Sequence, residues 1–379
     1  MTRRPASVLF SVHAHLAAIH KRTDPWACAR ITIAVLFVLT VIAIARALGE
    51  TQTPGVRVSD QEFWQLVERS SEPNGQFPSE NLTSNEVVFQ QVIPELENAT
   101  PAGRVYLGVG PEQNFTYMAA LRPAMAFIVD IRRGNLDLHL LYKALFELSS
   151  DRADFVSRLF SRKRPQGLSE ESTAAEIFDA FAGVERSEAL YAENLKAVQD
   201  LLAKQHGFGL SELDQSGIEY VYSAFSTFGP RIMYSSTGSG FFGGGQRQPT
   251  YADLMTATDG DAVPHSYLAS EDNFRFIKDL ESKNLLVPVV GNFAGPKAIR
   301  AIGQYLKDKG ALVSAFYLSN VEMYLAQDGL MAAFCRNVAA LPLDETSMFI
   351  RSLRGGRYGQ GFGLNSQLGL MAEEVAQCR

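Results

Sequence analysis

The chain has 379 residues, enough for one large domain or two modest ones, and its 46% hydrophobic and 20% charged residues are typical of a globular protein. A net charge of −6 argues against a broad surface for binding nucleic acid, and we expect no nucleic-acid partner. The three cysteines and six histidines form no CxxC motif or Cys/His cluster, so we expect neither a disulfide framework nor a metal site.

The N-terminal region combines a basic tail with an apolar segment. Residues 1–30 are polar and basic, and residues 31–48 carry no charge before Arg46. Eighteen residues are close to the shortest helix that spans a bilayer, so we predict a single transmembrane or signal-anchor helix over 31–48. The positive-inside rule then places the N-terminus in the cytoplasm and the large domain on the other side of the membrane. A cleaved signal peptide and a buried core helix remain alternatives.

Residues 52–100 are predicted to form a helical cap. The pattern indicates an amphipathic helix over 58–70, a loop, and a second helix over 87–96 with Ser84 as its N-cap. Asn85 and Glu86 lie just before that second helix. They are either part of a polar cap or substrate-binding residues that fold over the mouth of a ligand site.

A nucleotide-site pattern follows in residues 101–148, the first half of the predicted core. A short apolar strand breaks at Gly108 and Gly110, and a helix restarts with Pro111 at its first position. The next apolar strand ends on Asp130, 20 residues after Gly110, where a carboxylate can accept both hydroxyls of a ribose. The sequence therefore predicts half of a Rossmann-type site, although a Gly-x-Gly sequence can also make a purely structural turn.

The first helical turn indicates which nucleotide is expected. Gln113 stands where dinucleotide sites have a small residue, and Glu112 would repel a diphosphate at the helix N-terminus. A carboxylate there suits a cationic amino or sulfonium group. We therefore expect S-adenosylmethionine rather than NAD, and we add Asn114 and Arg132 to the predicted cofactor-binding residues. Arg132 is expected either to bind a carboxylate or to be solvated.

The strand–helix alternation is interrupted and then resumes. Residues 149–264 are predicted to be a helical insertion, with helices over 151–160, 172–181, 187–206 and 211–228. The second half of the core, 265–353, is predicted to contain strands over 285–291, 311–318 and 347–352. Residues 354–379 are glycine-rich at their start and are predicted to be a flexible tail.

Polar side chains follow several of the predicted strands. In an open parallel sheet the carboxyl ends of the strands meet at one edge, so these residues should converge on a single small-molecule site. From the second half of the core we predict Asn292 and Phe293 as catalytic residues, and Ser319, Asn320 and Glu322 as substrate-binding residues. Asn292-Phe293 partly matches the Asn/Asp-Pro-Pro-aromatic turn that holds the acceptor nitrogen in amino-methylating enzymes.

Several stretches between residues 60 and 353 resemble an uncharacterised family of bacterial proteins whose core is similar to class I S-adenosylmethionine-dependent methyltransferases. The stretches are Gly108-Val-Gly-Pro-Glu-Gln-Asn-Phe, Val129-Asp-Ile-Arg-Arg, Pro288-Val-Val-Gly-Asn-Phe-Ala-Gly-Pro-Lys and Tyr317-Leu-Ser-Asn-Val-Glu. The resemblance implies an α/β, Rossmann-like, mostly parallel sheet with a helical insertion. It implies that Gly108, Gly110 and Glu112 meet the methionine part of the cofactor, that Asp130 binds its ribose, and that Asn292 faces the methyl acceptor.

The expected function is therefore that of a methyltransferase-like protein with S-adenosylmethionine as its cofactor and an unassigned substrate. The alternative is a non-catalytic binding or scaffold protein of the cell envelope, anchored in the membrane and reusing the same fold, because fold alone does not choose between them. A hydrolase is less favoured, since no nucleophile–base pair stands out. The sequence assigns no oligomeric state.

Overall fold

The computed structural model describes residues 57–237, 248–354 and 364–377. The predicted basic tail and the predicted membrane segment 31–48 lie outside these ranges. Within them, no helix combines the length and the apolar character that crossing a bilayer requires. The membrane anchor therefore stays a prediction.

The described residues contain six strands and fourteen α-helices. The strands are β1 Val105–Gly108, β2 Met125–Asp130, β3 Leu286–Val290, β4 Val313–Ser319, β5 Met348–Arg354 and β6 Leu364–Leu370. The helices are α1 Asp60–Ser70, α2 Ile93–Ala99, α3 Gln113–Leu121, α4 Arg133–Leu148, α5 Arg152–Phe160, α6 Ala174–Phe181, α7 Glu188–Gln199, α8 Glu212–Phe228, α9 Tyr251–Thr256, α10 Glu271–Ser282, α11 Ala298–Asp308, α12 Val321–Gln327, α13 Met331–Val338 and α14 Met371–Gln377.

The six strands form one sheet in the order β3-β2-β1-β4-β5-β6. The first five are parallel, and β6 pairs antiparallel with β5. This is the order of a doubly wound α/β sheet, so the prediction of a Rossmann-like fold is confirmed. The chain runs outward from β1 to β3 and then returns to β4 on the other side of β1. The switch point of the topology therefore lies between β1 and β4.

The sheet and the helix α4 form the centre of the core. Every residue of β1, β2 and β3 is buried, as expected for parallel strands that helices cover on both faces. Residues 135–146 of α4 are also all buried, because this helix packs against the sheet and against helices of the insertion. A helix that is apolar over most of its circumference can be stable only in such an enclosed position.

The helices predicted in the insertion are present. Their starts are fixed by side-chain caps, including the reciprocal capping boxes Thr173/Glu176 and Ser211/Asp214. The predicted helix 187–206 consists of α7 followed by a π-helix, Asp200–Gln205.

The prediction of a single helix over 87–96 is wrong. The structure has a 3₁₀ turn, Phe89–Val92, followed by the short helix α2. Ser84 does not cap either one. Its hydroxyl bonds the Gln113 side chain and accepts a hydrogen bond from the Glu86 N–H, so this polar segment makes tertiary contacts instead of starting a helix.

The prediction of a flexible tail over 354–379 is wrong for residues 364–377, which form β6 and α14. Seven residue pairs join β6 to β5, and the Arg351 guanidinium lies 2.9 Å from the Glu374 carboxylate of α14. The glycines before residue 364 predict a flexible segment, but pairing with β5 orders the residues that follow them. Strand pairing depends on a partner elsewhere in the chain, so the local sequence does not show it.

His206 ties the insertion to the N-terminal helix α1. Its Nδ1 lies 2.8 Å from the Asp60 carboxylate and its Nε2 lies 2.9 Å from the Glu147 carboxylate. Burial lowers the pKa of His206, but the hydrogen bonds and charges of the two carboxylates outweigh that effect and raise the pKa above its ordinary value.

We expect His206→Gln to reduce stability more in mild acid than in mild base. Because folding raises the pKa of His206, protonation of this side chain stabilises the folded state. The stabilisation is complete when the pH lies below the unfolded-state pKa of about 6.5, and it is lost as the pH rises through the folded-state pKa. Urea unfolding of both proteins at about pH 5.5 and about pH 8.5 measures the effect. An equal loss of unfolding free energy at both pH values would contradict this assignment.

Candidate functional site

The carboxyl ends of the parallel strands bring four predicted positions to one edge of the sheet. In spatial order they are Asn292 after β3, Asp130 at the end of β2, Gly108 at the end of β1 and Ser319 at the end of β4. Neighbouring strands are about 4.8 Å apart, so Asn292 belongs to a strand roughly 10 Å from β1. Asp130 and Ser319 belong to the two strands that flank β1.

The glycine turn after β1 is held together by Asn114. Its amide oxygen accepts a hydrogen bond from the Tyr106 hydroxyl at 2.9 Å. Its amide nitrogen donates to three carbonyl oxygens of the turn, those of Val109, Gly110 and Pro111. A Cβ on Gly108 would lie 1.9 Å from the Asn114 oxygen. The structure therefore gives Gly108 and Asn114 a role in shaping the turn.

Gly110 has a different environment from Gly108. Its φ of 75° lies in the left-handed region, and a Cβ built on it meets no atom within 4 Å. His139 Nε2 lies 2.9 Å from the Gly110 carbonyl oxygen and fixes the turn from the α4 side. Open space beside a glycine backbone is what close approach of a ligand requires.

Only one of the two carboxylate oxygens of Glu112 is hydrogen-bonded among the described residues. The side chain is fully buried, and Oε1 accepts a hydrogen bond from the Ser84 N–H at 3.1 Å. Oε2 has no hydrogen-bond partner among the described residues. Burial raises the pKa of Glu112 to about 7, although the bond from Ser84 opposes this change. A donor or cation brought to Oε2 would satisfy the atom and restore the ionised form.

Asp130, predicted to bind ribose, is bonded to Arg132. One carboxylate oxygen accepts from the Arg132 backbone N–H at 2.9 Å and from Nε at 3.1 Å, and the other accepts from Nη2 at 3.1 Å. The Arg132 guanidinium also donates to the Glu80 carbonyl oxygen. A carboxylate has about four acceptor positions, so Asp130 keeps capacity for a further donor.

A cavity of about 380 Å³ opens beside Arg132. This volume is within the range of small-molecule sites. Its walls come from the 74–82 loop, the first turn of α4 and the helix α8, and they include Asn74, Gly75, Gln76, Phe77, Ser79, Glu80, Leu82, Arg132, Gly134, Gly217, Tyr220 and Val221. The Tyr220 hydroxyl lies 2.8 Å from both oxygens of the Glu80 carboxylate. The sequence did not point to Glu80 or Tyr220, because 140 residues separate them.

Residues 79–86, hereafter the crossing segment, lie over the ends of β1 and β4. Glu86 is 2% exposed, and its carboxylate accepts hydrogen bonds from Tyr317 and Ser319 of β4. Its other oxygen accepts from the Gln113 amide of α3 at 2.8 Å. Asn85 beside it is partly buried. Glu86 therefore lies at the edge where the sequence predicted it, together with Gln113 and Tyr317, which the sequence did not select as site residues.

The two predicted catalytic residues have structural contacts. The Asn292 side-chain oxygen accepts a hydrogen bond from the Ala294 N–H at 2.9 Å, which closes a local turn. Phe293 is buried against Phe316 and Phe334, with ring centroids 4.9 and 6.0 Å away. Because β3 is the outer strand, Asn292 lies two strands away from Gly108, and its predicted role of facing the methyl acceptor stays a prediction. Ser319 and Asn320, which follow β4, are adjacent to β1.

The remaining predicted residues lie toward β5. Glu322 forms an ion pair with Arg351, with Oε1 and Nη2 3.1 Å apart, and Arg351 also contacts Glu374. Asn320 precedes α12 without capping it through its side chain. Glu322 therefore joins α12 to β5 through Arg351, and Arg351 in turn contacts α14.

The groups with capacity for a ligand are acceptors: Glu112 Oε2, the Asp130 carboxylate and Glu80 in the cavity. Within the described ranges, no group of three or more His, Cys, Asp and Glu side chains is arranged to hold a metal ion. Acceptors of this kind can bond the hydroxyl or cationic groups of a ligand.

A family model described as a domain of unknown function (DUF7790) matches residues 81–209 and 246–369, more than half of the chain. The chain belongs to this family. No curated protein was found to match it. The two matched stretches contain the glycine turn, the end of β2 and the end of β4. Membership of this family assigns no reaction to the chain.

Proposed function

We propose that this chain is a methyltransferase-like protein that binds an S-adenosylmethionine-type ligand along the carboxyl ends of β2, β1 and β4. The observation that supports the proposal best is the cavity of about 380 Å³ beside Arg132, the residue that bonds Asp130 at the edge where doubly wound sheets bind ligands. In the proposed complex this cavity would hold the nucleoside end of the ligand.

The nucleoside part fits the chemistry of the cavity. Tyr220, Phe77 and Leu82 supply ring and apolar surface for a base. Glu80 in the wall and Asp130 behind Arg132 are acceptors for ribose hydroxyls. A Cβ on Gly134 would meet nothing within 4 Å, so the cavity is open at the first turn of α4.

The cationic part fits the glycine turn. In the part of the chain that the structure describes, the buried Glu112 Oε2 has no hydrogen-bond partner, and Gly110 leaves open space beside the backbone. A carboxylate at this position favours an ammonium or sulfonium group over a diphosphate. When bound, the ligand would supply a methyl group. The protein's part would then be to align an acceptor near Ser319 and to exclude water, which requires no strong base.

A non-catalytic binding protein is the second candidate. It is favoured by the structural contacts of Asn292 and Phe293 and by the outer position of β3, which puts the predicted catalytic pair two strands from β1. It is also favoured if residues 31–48 anchor the chain with its domain in the periplasm, where S-adenosylmethionine is not normally met. Methyl transfer to an acceptor would separate the two candidates.

Calorimetric titration of S-adenosylhomocysteine into the full-length protein in mild detergent tests the proposal. We expect binding in the micromolar range. Asp130→Ala should weaken it about 30-fold, because hydrogen bonds to a charged group contribute about 2 kcal/mol. Asp328→Ala, an exposed aspartate at the end of α12, is the control and should bind like the wild type. Absence of binding to protein that still unfolds cooperatively would contradict the proposal.

A further inference from the structure

The crevice at the switch point of the sheet is filled by the protein's own carboxylate. Glu86 reaches between the ends of β1 and β4, where Tyr317 Oη lies 2.8 Å and Ser319 Oγ 2.6 Å from its Oε1. The Gln113 amide nitrogen lies 2.8 Å from Oε2. Ligands of doubly wound folds bind in this crevice.

The donors that surround Glu86 have the composition of a carboxylate-binding site. They are two hydroxyls and one amide, they come from two different elements, and all are uncharged. No ion pair joins Glu86 to a cationic side chain in the part of the chain that the structure describes. Donors of this kind would serve an incoming carboxylate as well as they serve Glu86.

With Glu86 in the crevice, hereafter the closed form, the crossing segment includes conformations and buried polar atoms that are locally unfavourable. Residues 79–86 form no regular helix or strand. Asn81 has a φ of 48°, and the buried Asn81 Oδ1 and Thr83 Oγ1 have no hydrogen-bond partner among the described residues. Ser319, which holds Glu86 from the other side, has a φ of 50°. Each of these features is unfavourable, so the folded chain holds Glu86 in the crevice at a local cost that opening would reduce.

We infer that Glu86 is an internal substitute for the carboxylate of the ligand. This inference rests on the proposed function and adds a mode of regulation to it. When residues 83–86 at the end of the crossing segment move away, Glu86 leaves the crevice, and the α-carboxylate of the ligand takes the hydrogen bonds of Tyr317, Ser319 and Gln113. Ser79, Glu80 and Leu82 stay in the wall of the cavity, so the site for the nucleoside is unchanged. The neighbouring Glu112 Oε2 then accepts a hydrogen bond from the α-ammonium group. The closed form competes with the ligand, so the measured affinity is reduced in proportion to the open fraction.

Glu86→Gln tests this competition with two ligands. The amide keeps the size of the side chain but removes its charge and presents an NH₂ group to the donors. We expect S-adenosylhomocysteine to bind about tenfold more tightly to the variant than to the wild type, since a weaker competitor raises the open fraction. 5′-Methylthioadenosine lacks the amino-acid part and should bind both proteins equally. Glu97→Gln, an exposed glutamate of α2, is the matched control.

Amide hydrogen exchange gives a second readout that needs no ligand. The Ser84 and Glu86 amides are bonded within this contact, so their exchange should be about tenfold faster in Glu86→Gln, while the amides of β1 and β2 stay unchanged. Unchanged exchange at Ser84 and Glu86 would overturn the inference, as would unchanged or weaker binding of S-adenosylhomocysteine to the variant. Faster exchange with no binding by either protein would overturn the proposed ligand but support the opening of the segment.

Discussion

Asn114→Ala is expected to lower the free energy of unfolding by about 3 kcal/mol. The substitution leaves the buried Tyr106 hydroxyl and the carbonyl oxygens of the glycine turn without the amide that bonds them. Each buried polar group left unsatisfied costs about 1–3 kcal/mol, and relaxation of the turn recovers part of the total. The turn would also lose its shape at the point where the proposed ligand approaches Gly110.

Urea unfolding measures this loss, with Asn98→Ala as the control. Asn98 is exposed on α2, and its side chain bonds only the Pro94 carbonyl, so its replacement should change stability by less than about 0.5 kcal/mol. Gly108→Ala adds a sharper test. Its Cβ would collide with Asn114, so Gly108→Ala should cost less in the Asn114→Ala background than alone. A loss below about 1 kcal/mol for Asn114→Ala would contradict the role assigned to Asn114.

Arg152→Ala is expected to cost about 4 kcal/mol, because it breaks a buried ion pair and leaves Glu271 without its charged partner. Arg152 is 2% exposed, and its Nε lies 3.0 Å from the Glu271 carboxylate. The guanidinium also donates to three carbonyl oxygens, those of Leu268, Glu170 and Ser172. One side chain thus joins the start of α5, the loop before α6 and the segment before α10.

Two further variants distinguish the buried pair from an ordinary surface one. Arg275→Ala removes an exposed pair with Glu170 and should cost less than about 1 kcal/mol. The double variant Arg152→Met/Glu271→Leu replaces both charges by apolar groups and should be more stable than Arg152→Ala. Thermal and urea unfolding would measure all three. Wild-type stability of Arg152→Ala would contradict the inference that this residue fixes the insertion to the core.

The local elements of the core were predictable from the sequence. Short apolar runs bounded by glycine or a polar residue became β1 to β5, because a parallel strand buried on both faces needs only such a run. The helices of the insertion were equally predictable, since their caps, such as Thr173 with Glu176, lie within the same few residues.

The arrangement along the sheet edge was only partly predictable. The sequence indicated that the ends of β1, β2, β3 and β4 converge, but it does not encode locally which strand flanks β1. The sequence therefore did not show that Asn292 lies two strands from β1 while Ser319 follows a strand that flanks it. The contact between Glu86 and Tyr317 spans 231 residues and has no periodic pattern, so only the folded chain reveals it. The same applies to the cavity formed by the 74–82 loop and α8.

The most direct test is a crystal structure of the protein with S-adenosylhomocysteine bound. The account predicts ligand density along the ends of β2, β1 and β4, with the ribose hydroxyls within hydrogen-bonding distance of Asp130 and the base in the cavity beside Tyr220. Glu86 should have left the crevice, with the ligand carboxylate bonded to Tyr317 and Ser319. A ligand bound elsewhere on the protein, with the cavity empty and Glu86 in place, would contradict the proposed site.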